Sequence, residues 1–194
     1  MEQKKYKQNL LDALYEQHKQ CTQCPLSAQG RKNIVFGEGS PDAHIMFVGE
    51  GPGRDEDILC RPFVGRSGKL LDKILELAEL NRKEVFIANV VKCRPPGNRK
   101  PLPIESKTCK QLLLFQQIKI IRPKIVCTLG ASALEALIDK PVKITQLRGK
   151  AIKHNGLIIF PTYHPAYILR NNNELETFTN DIKTAKLLSK SPTN

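Results

Sequence analysis

Three short apolar runs, each broken off by a residue that cannot continue it, constrain this chain most. His44–Val48 stops at Gly49, Val85–Val91 runs towards a Pro- and Gly-rich loop at Arg94–Pro103, and Lys124–Leu129 stops at Gly130. Short apolar runs bounded in this way predict strands buried on both faces, as in a parallel sheet. Helical spacing fills the gaps. A helix is expected over 5–19, with Leu10, Leu11, Leu14 and Tyr15 as its apolar face, and another from Ser67 to about Leu80, with Leu70, Leu71, Ile74, Leu75 and Leu77 inward. Further helices are expected over Glu105–Ile121, Ala131–Ile138 and Glu174–Ser189. Asn155-Gly156, between Ala151–Lys153 and Leu157–Phe160, is a hairpin turn signal. The alternation predicts one α/β domain over 1–194, a three-layer α/β/α sandwich around a mostly parallel sheet. Ligands in such sheets sit beyond the carboxyl ends of the strands, which nominates Gly49–Asp57, Asn89–Arg94 and His164–Arg170.

The 31 Lys and Arg against 19 Asp and Glu leave a formal charge of +12. That excess favours a polyanionic partner, nucleic-acid phosphate first, although a lysine-rich background gives the same count. Lys4, Lys5 and Lys7 stand near the start without the apolar segment of a secretory signal. No stretch approaches the roughly 18 apolar residues of a membrane span. The chain therefore reads as cytoplasmic and not membrane-bound, and a monomer is expected.

Six cysteines in such a chain point to metal or redox chemistry rather than disulfides. Cys21 and Cys24 form a CxxC pair that precedes the first βα unit, which argues against a thioredoxin-type role. Cys93 and Cys109 are singletons, with 68 residues between Cys24 and Cys93 and 15 between Cys93 and Cys109. A zinc ribbon supplies its second pair as another close CxxC. One pair and two distant singletons better suit a 4Fe–4S cluster. Cys127, inside an apolar strand, reads as a small core residue, and Cys60 as packing or chance.

Together these features resemble family 4 uracil-DNA glycosylases, the iron–sulfur branch of the uracil glycosylase superfamily. The likeness is carried by the Cys21, Cys24, Cys93 and Cys109 spacing, by Gly49-Glu50-Gly51-Pro52-Gly53, by Arg61-Pro62-Phe63-Val64-Gly65-Arg66-Ser67-Gly68, by Asn89-Val90-Val91-Lys92-Cys93-Arg94, and by His164-Pro165-Ala166. It runs from about Cys21 to the last helix. The resemblance implies an enzyme that flips uracil out of DNA and hydrolyses its N-glycosidic bond. A structural 4Fe–4S cluster on the four cysteines is implied as well.

The implied roles can be set against the chemistry. A flipped base needs a flat face to stack on, and Phe63 offers one. The Asn89 amide can donate to uracil O4 and accept from N3–H, a pattern that cytosine reverses. His164 would hydrogen-bond O2 as negative charge develops there. Gly49, Glu50 and Gly51 would bring backbone close to the base, with Glu50 beside C5, where it would crowd thymine's methyl. Gly-Glu-Gly-Pro-Gly is no phosphate loop, because no Gly-Lys-Ser/Thr follows.

The chain departs from the best-known relatives, which carry a water-activating Asp where Gly51 stands. Ala is commoner than Gly there within family 4, and Arg54 stands where an acidic residue is frequent. Two routes are then open: Asp55 and Asp57 orient the water, or leaving-group stabilisation suffices without a strong base. In His164–Arg170, Ile168 or Leu169 would fill the gap left by the flipped base and Arg170 would meet phosphate. Two other readings stay open: a non-catalytic iron–sulfur DNA-binding module, and a branch bonding covalently to DNA through an inserted His. The loop Arg94–Pro103 contains no His.

Overall fold

The computed structural model describes residues 2–190. The apolar runs become the strands β2 (Ile45–Gly49), β3 (Phe86–Asn89) and β4 (Ile125–Leu129), every residue of them buried. With β6 (Leu157–Thr162) they form a parallel core, flanked by β1 (Glu38–Gly39) and β5 (Ile152–His154) in antiparallel pairing. The strand order is β1-β3-β2-β4-β6-β5. β2 therefore has β3 on one side and β4 on the other, so the connections leaving β2 and β3 run in opposite directions from the carboxyl edge, where α/β sheets bind ligands.

Strand period explains the layers. Met46 and Val48 of β2 point into one core, with Leu11 of α1 (Glu2–His18), Ile118 and Leu134. Ile45 and Phe47 point into the other, with Leu71, Ile74, Phe178 and Ile182. Each face receives alternate residues, so each needs its own helical cover. α2 (Arg54–Leu59) and α3 (Arg66–Leu77) follow β2, and α3 covers the second face. The first face is covered by α4 (Pro103–Cys109), a π-helical turn at Lys110–Leu114 and α5 (Phe115–Ile121) in unbroken succession, and by α6 (Ala131–Ile138). The short α7 (Ile144–Leu147) leads to the β5–β6 hairpin, while α8 (Pro165–Ile168) and α9 (Leu175–Lys190) close the second face.

The expected sandwich is the observed one. The Asn155-Gly156 turn has both residues at positive φ, 46° and 76°, the geometry that matches strand twist in a two-residue hairpin. Some details differ. Leu10 and Leu77 point outward, 37% and 52% exposed, because α1 and α3 each bury a narrower stripe than their apolar spacing suggests. The segment after Gly53, given no element from the sequence, forms α2, whose first turn carries Asp55, Glu56 and Asp57, well placed against the helix dipole.

Two glycines hold the strand ends close enough to make a site. A Cβ on Gly49 would meet Phe63 Cζ at 2.5 Å and collide with Asn89 Oδ1. A Cβ on Gly68 would overlap the Phe63 carbonyl, with Phe63 Cα at 2.8 Å. Phe63 itself sits at φ 50°, so the loop has little room to yield. Gly68→Ala is therefore expected to lower unfolding free energy by about 1–3 kcal/mol, the usual overpacking cost. Denaturant titration checks it, and an unchanged midpoint would show that the loop can move aside.

Candidate active site and cysteine cavity

A pocket opens at the carboxyl edge of β2, β3 and β6. Its walls are Glu50–Gly53 after β2, Phe63 and Ser67, Asn89 at the end of β3, and His164 after β6, with Ala166 and Arg170 at the rim. Phe63 and His164 face each other with ring centroids 5.8 Å apart, tilted by 34°. All three segments expected beyond the strand ends contribute. Glu56 joins from α2, and Pro95, Asn98 and Arg99 join from the loop after Cys93.

Asn89 is 2% exposed, and its Oδ1 has no hydrogen-bond partner. Leaving a buried acceptor unpaired costs about 1–3 kcal/mol, so an orphan at a pocket wall marks a place for a donor. The other such oxygen among the described residues, Thr128 Oγ1, does not wall the pocket.

His164 precedes α8, and its Nδ1 accepts from the Ala166 backbone N–H at 3.0 Å. A backbone N–H can only donate, so Nδ1 is bare and Nε2 carries the proton. Enclosure pushes the imidazole down to about 4, with the Arg170 charge acting in the same direction and Glu56 opposing it. The ring is thus a neutral Nε2–H donor near pH 7.

The acidic residues of α2 divide their work differently from the sequence expectation. Asp55 is exposed and does not wall the pocket. Asp57 is turned away from the pocket, accepting from the Lys32 N–H at 2.9 Å and the Asn33 N–H at 3.1 Å. Glu56 does wall the pocket, but it accepts from the N–H groups of Val64 (2.9 Å), Gly65 (2.8 Å) and Gly53 (3.1 Å). Each such bond to a charged group is worth about 1.5–3 kcal/mol, so Glu56 is committed to holding the Phe63 loop. No bond restrains the Glu50 carboxylate among the described residues.

Ile168 is a correction too. At 1% exposure it packs in the core with Phe178 and Ile182, so it cannot enter DNA. Leu169 is 43% exposed, and Arg170 is exposed beside it. The contribution of Pro95–Arg99 was hidden in a segment that reads only as loop. Gly97 and Asn98, at φ 61° and 57°, fold it back towards the pocket. Arg99 grips buried Glu105 through both oxygens, at 2.8 and 2.7 Å. A Gly-Asn pair signals such a turn, but nothing in the sequence says where it leads.

Cys21, Cys24, Cys93 and Cys109 wall a second, enclosed cavity with Arg31, Ile34 and Leu113. Cys127 and Cys60 stand elsewhere, one in the core and one exposed at the end of α2. Among the described residues no three His, Cys, Asp or Glu side chains gather as a single ion requires. Zinc draws four sulfurs to one centre at about 2.3 Å, whereas a cluster takes each thiolate at a different corner. Four cysteine thiols around one space are a donor set that suits a cluster. The donor chemistry agrees: the Arg31 guanidinium donates to Cys93 Sγ at 2.9 Å, and the Lys92 N–H to Cys109 Sγ at 3.3 Å, as sulfur ligands are commonly supported.

The family model for the uracil DNA glycosylase superfamily matches residues 36–186. A Type-4 uracil-DNA glycosylase of Thermotoga maritima is 48% identical over 184 residues, 93% of this chain and 95% of that one. Another, from Sulfurisphaera tokodaii, is 44% identical over 191 residues, 94% of this chain and 86% of that one. A Type-5 uracil-DNA glycosylase of Pyrobaculum aerophilum is 30% identical over 162 residues, 73% and 69% of the two chains.

Because the folded ring titrates near 4, against about 6.5 when unfolded, acid favours the unfolded chain. The His164 contribution to stability should be complete above pH 6.5 and shrink as pH falls towards 4. A ¹⁵N-edited NMR titration should show a neutral, Nε2-protonated ring down to about pH 5. A ring that protonates near 6.5 would contradict this environment.

Proposed function

The chain belongs to the uracil DNA glycosylase superfamily, and on that footing we propose that it excises uracil from DNA in the pocket walled by Phe63, Asn89 and His164. The observation that carries this reading is the orphaned Oδ1 of Asn89 in a buried pocket wall. Uracil N3–H is a donor suited to it, and the amide nitrogen beside it can donate to O4. Cytosine presents a bare N3 and an amino group, so both contacts turn repulsive. A paired amide recognition of this kind separates bases by about 1–3 kcal/mol in DNA grooves, and by more where water is excluded.

The base reaches this pocket by leaving the stack, with Phe63 as the platform and the Gly49–Gly51 backbone against its edge. Glu50, unrestrained in the wall, is the group beside uracil C5. Leu169 takes the space of the departed base and Arg170 meets phosphate. Bond cleavage separates charge, positive on the sugar and negative on uracil O2. His164, neutral and donating from Nε2, stabilises O2 more as that charge grows, and so acts mainly in the transition state. With Asp57 and Glu56 both bound to backbone N–H groups, neither is free to activate water.

Cys21, Cys24, Cys93 and Cys109 would hold a 4Fe–4S cluster. Bound there, it supplies a crosslink between the chain after α1, the loop after β3 and the end of α4. The partner is uracil-containing DNA. No helix among the described residues is long and apolar enough to cross a membrane.

His164→Ala is expected to slow single-turnover uracil release about 10²–10³-fold, the usual loss of one oxyanion donor, with affinity for uncleavable DNA nearly unchanged. A full rate, or a loss seen only through weaker binding, would remove His164 from the chemistry. Asn89→Asp should lose most uracil selectivity and begin to release cytosine. If both Asn89→Asp and Asn89→Ala release uracil at the native rate, the base is read elsewhere. Leu169→Ala should slow release from duplex more than from single-stranded substrate, since only a duplex leaves a gap to fill. Equal losses on the two substrates would take Leu169 out of the helix.

A further inference from the structure

Lys92 lies between the two cavities, and its side chain is fully buried. Its Nζ donates to the Asn89 carbonyl at 2.9 Å and to Gln117 Oε1 at 2.6 Å. Gln117 in turn donates from Nε2 to the Phe36 carbonyl at 2.9 Å. The backbone N–H of Lys92 donates to Cys109 Sγ, and its carbonyl accepts from the Val35 N–H at 2.8 Å. One residue therefore touches the cysteine cavity, α5 and the strand end that carries Asn89.

A lysine amine is expensive to bury unless its donors are satisfied, and a Met would fill similar space without that cost. The donor must therefore serve the groups it meets. The peptide group it grips at the Asn89 carbonyl donates, through the Val90 N–H, to the Gly49 carbonyl at 2.9 Å. Polarising a peptide at its oxygen strengthens it as a donor at nitrogen. Lys92 thus tightens the joint at which Gly49, Asn89 and Phe63 meet without room for a Cβ.

We propose that Lys92 is a positioning residue for Asn89, holding from behind the backbone that carries the base-reading amide and tying it to the cysteine cavity. The inference rests on the reading of Asn89 as the group that recognises uracil. It goes beyond that reading in assigning uracil affinity to a residue the base never touches.

The test uses purified full-length protein, with free uracil as the probe by calorimetry and iron content measured beside it. Lys92→Met, and Lys92→Met with Gln117→Leu to relieve the stranded acceptor, should keep the native iron content and bind uracil on the order of tenfold more weakly. In an Asn89→Ala background the same change should cost no further affinity. A purely structural role would cost affinity in both backgrounds, and that result overturns the proposal. Gln117→Leu alone should weaken uracil binding in the same direction but less, and it decides the matter should the Lys92 variants fail to fold; unchanged affinity there is also fatal. If the native protein binds uracil and Asn89→Ala does so equally well, the reading of Asn89 fails. If Asn89→Ala loses binding while Lys92→Met keeps it, only the role of Lys92 fails.

Discussion

The site depends on the close approach of β2 and β3 at their carboxyl ends, where Gly49 pairs with Asn89. Parallel register brings these residues side by side, and the missing Cβ of Gly49 leaves the volume that the Asn89 amide and the Phe63 ring share. A side chain there would drive the Asn89 amide and the Phe63 ring apart. Gly68 has the same part on the other side of Phe63, letting α3 begin directly beneath that residue's carbonyl. The pocket is therefore built from an absence of atoms at two positions.

Adjacent carboxylates on α2 show how little residue type alone reveals about role. Glu56 and Asp57 are both buried and both accept backbone N–H groups, yet they hold different things. Glu56 fixes the loop that presents Phe63. Asp57 fixes Lys32 and Asn33, directly after Arg31, whose guanidinium reaches Cys93 Sγ and the Cys21 carbonyl. One short helix so fastens the pocket on one side and the cysteine cavity on the other. Both carboxylates are thus committed to backbone N–H groups.

Burial sets the state of the polar groups around both cavities. Enclosure keeps His164 neutral, a form that offers an Nε2–H without holding a full charge against the rim arginine. Enclosure also pushes the Cys109 thiol up to about 12, so the sulfur cavity is costly to ionise unless cationic metal accompanies the thiolates. The N–H groups of Arg31 and Lys92 then support sulfurs that few other donors reach.

The three apolar runs and the Asn155-Gly156 turn determined the layered sheet, because period and turn chemistry are local properties that any chain with those residues must express. Spacing singled out the four cysteines and the motifs singled out Glu50, Gly51, Phe63, Asn89 and His164, and the structure places the first set around one cavity and the second around another. What the sequence could not decide was direction. Ile168 and Leu169 are adjacent and both apolar, but the end of α8 buries the first and exposes the second. Asp55, Glu56 and Asp57 follow one another, yet rotation of about 100° per residue around α2 sends them to solvent, to the pocket and to the cysteine side. The return of Pro95–Arg99 to the pocket and the reach of Lys92 to Asn89 are likewise tertiary facts. Each depends on which face an element turns to its neighbours, and only the packing of the whole sheet between its helices fixes that.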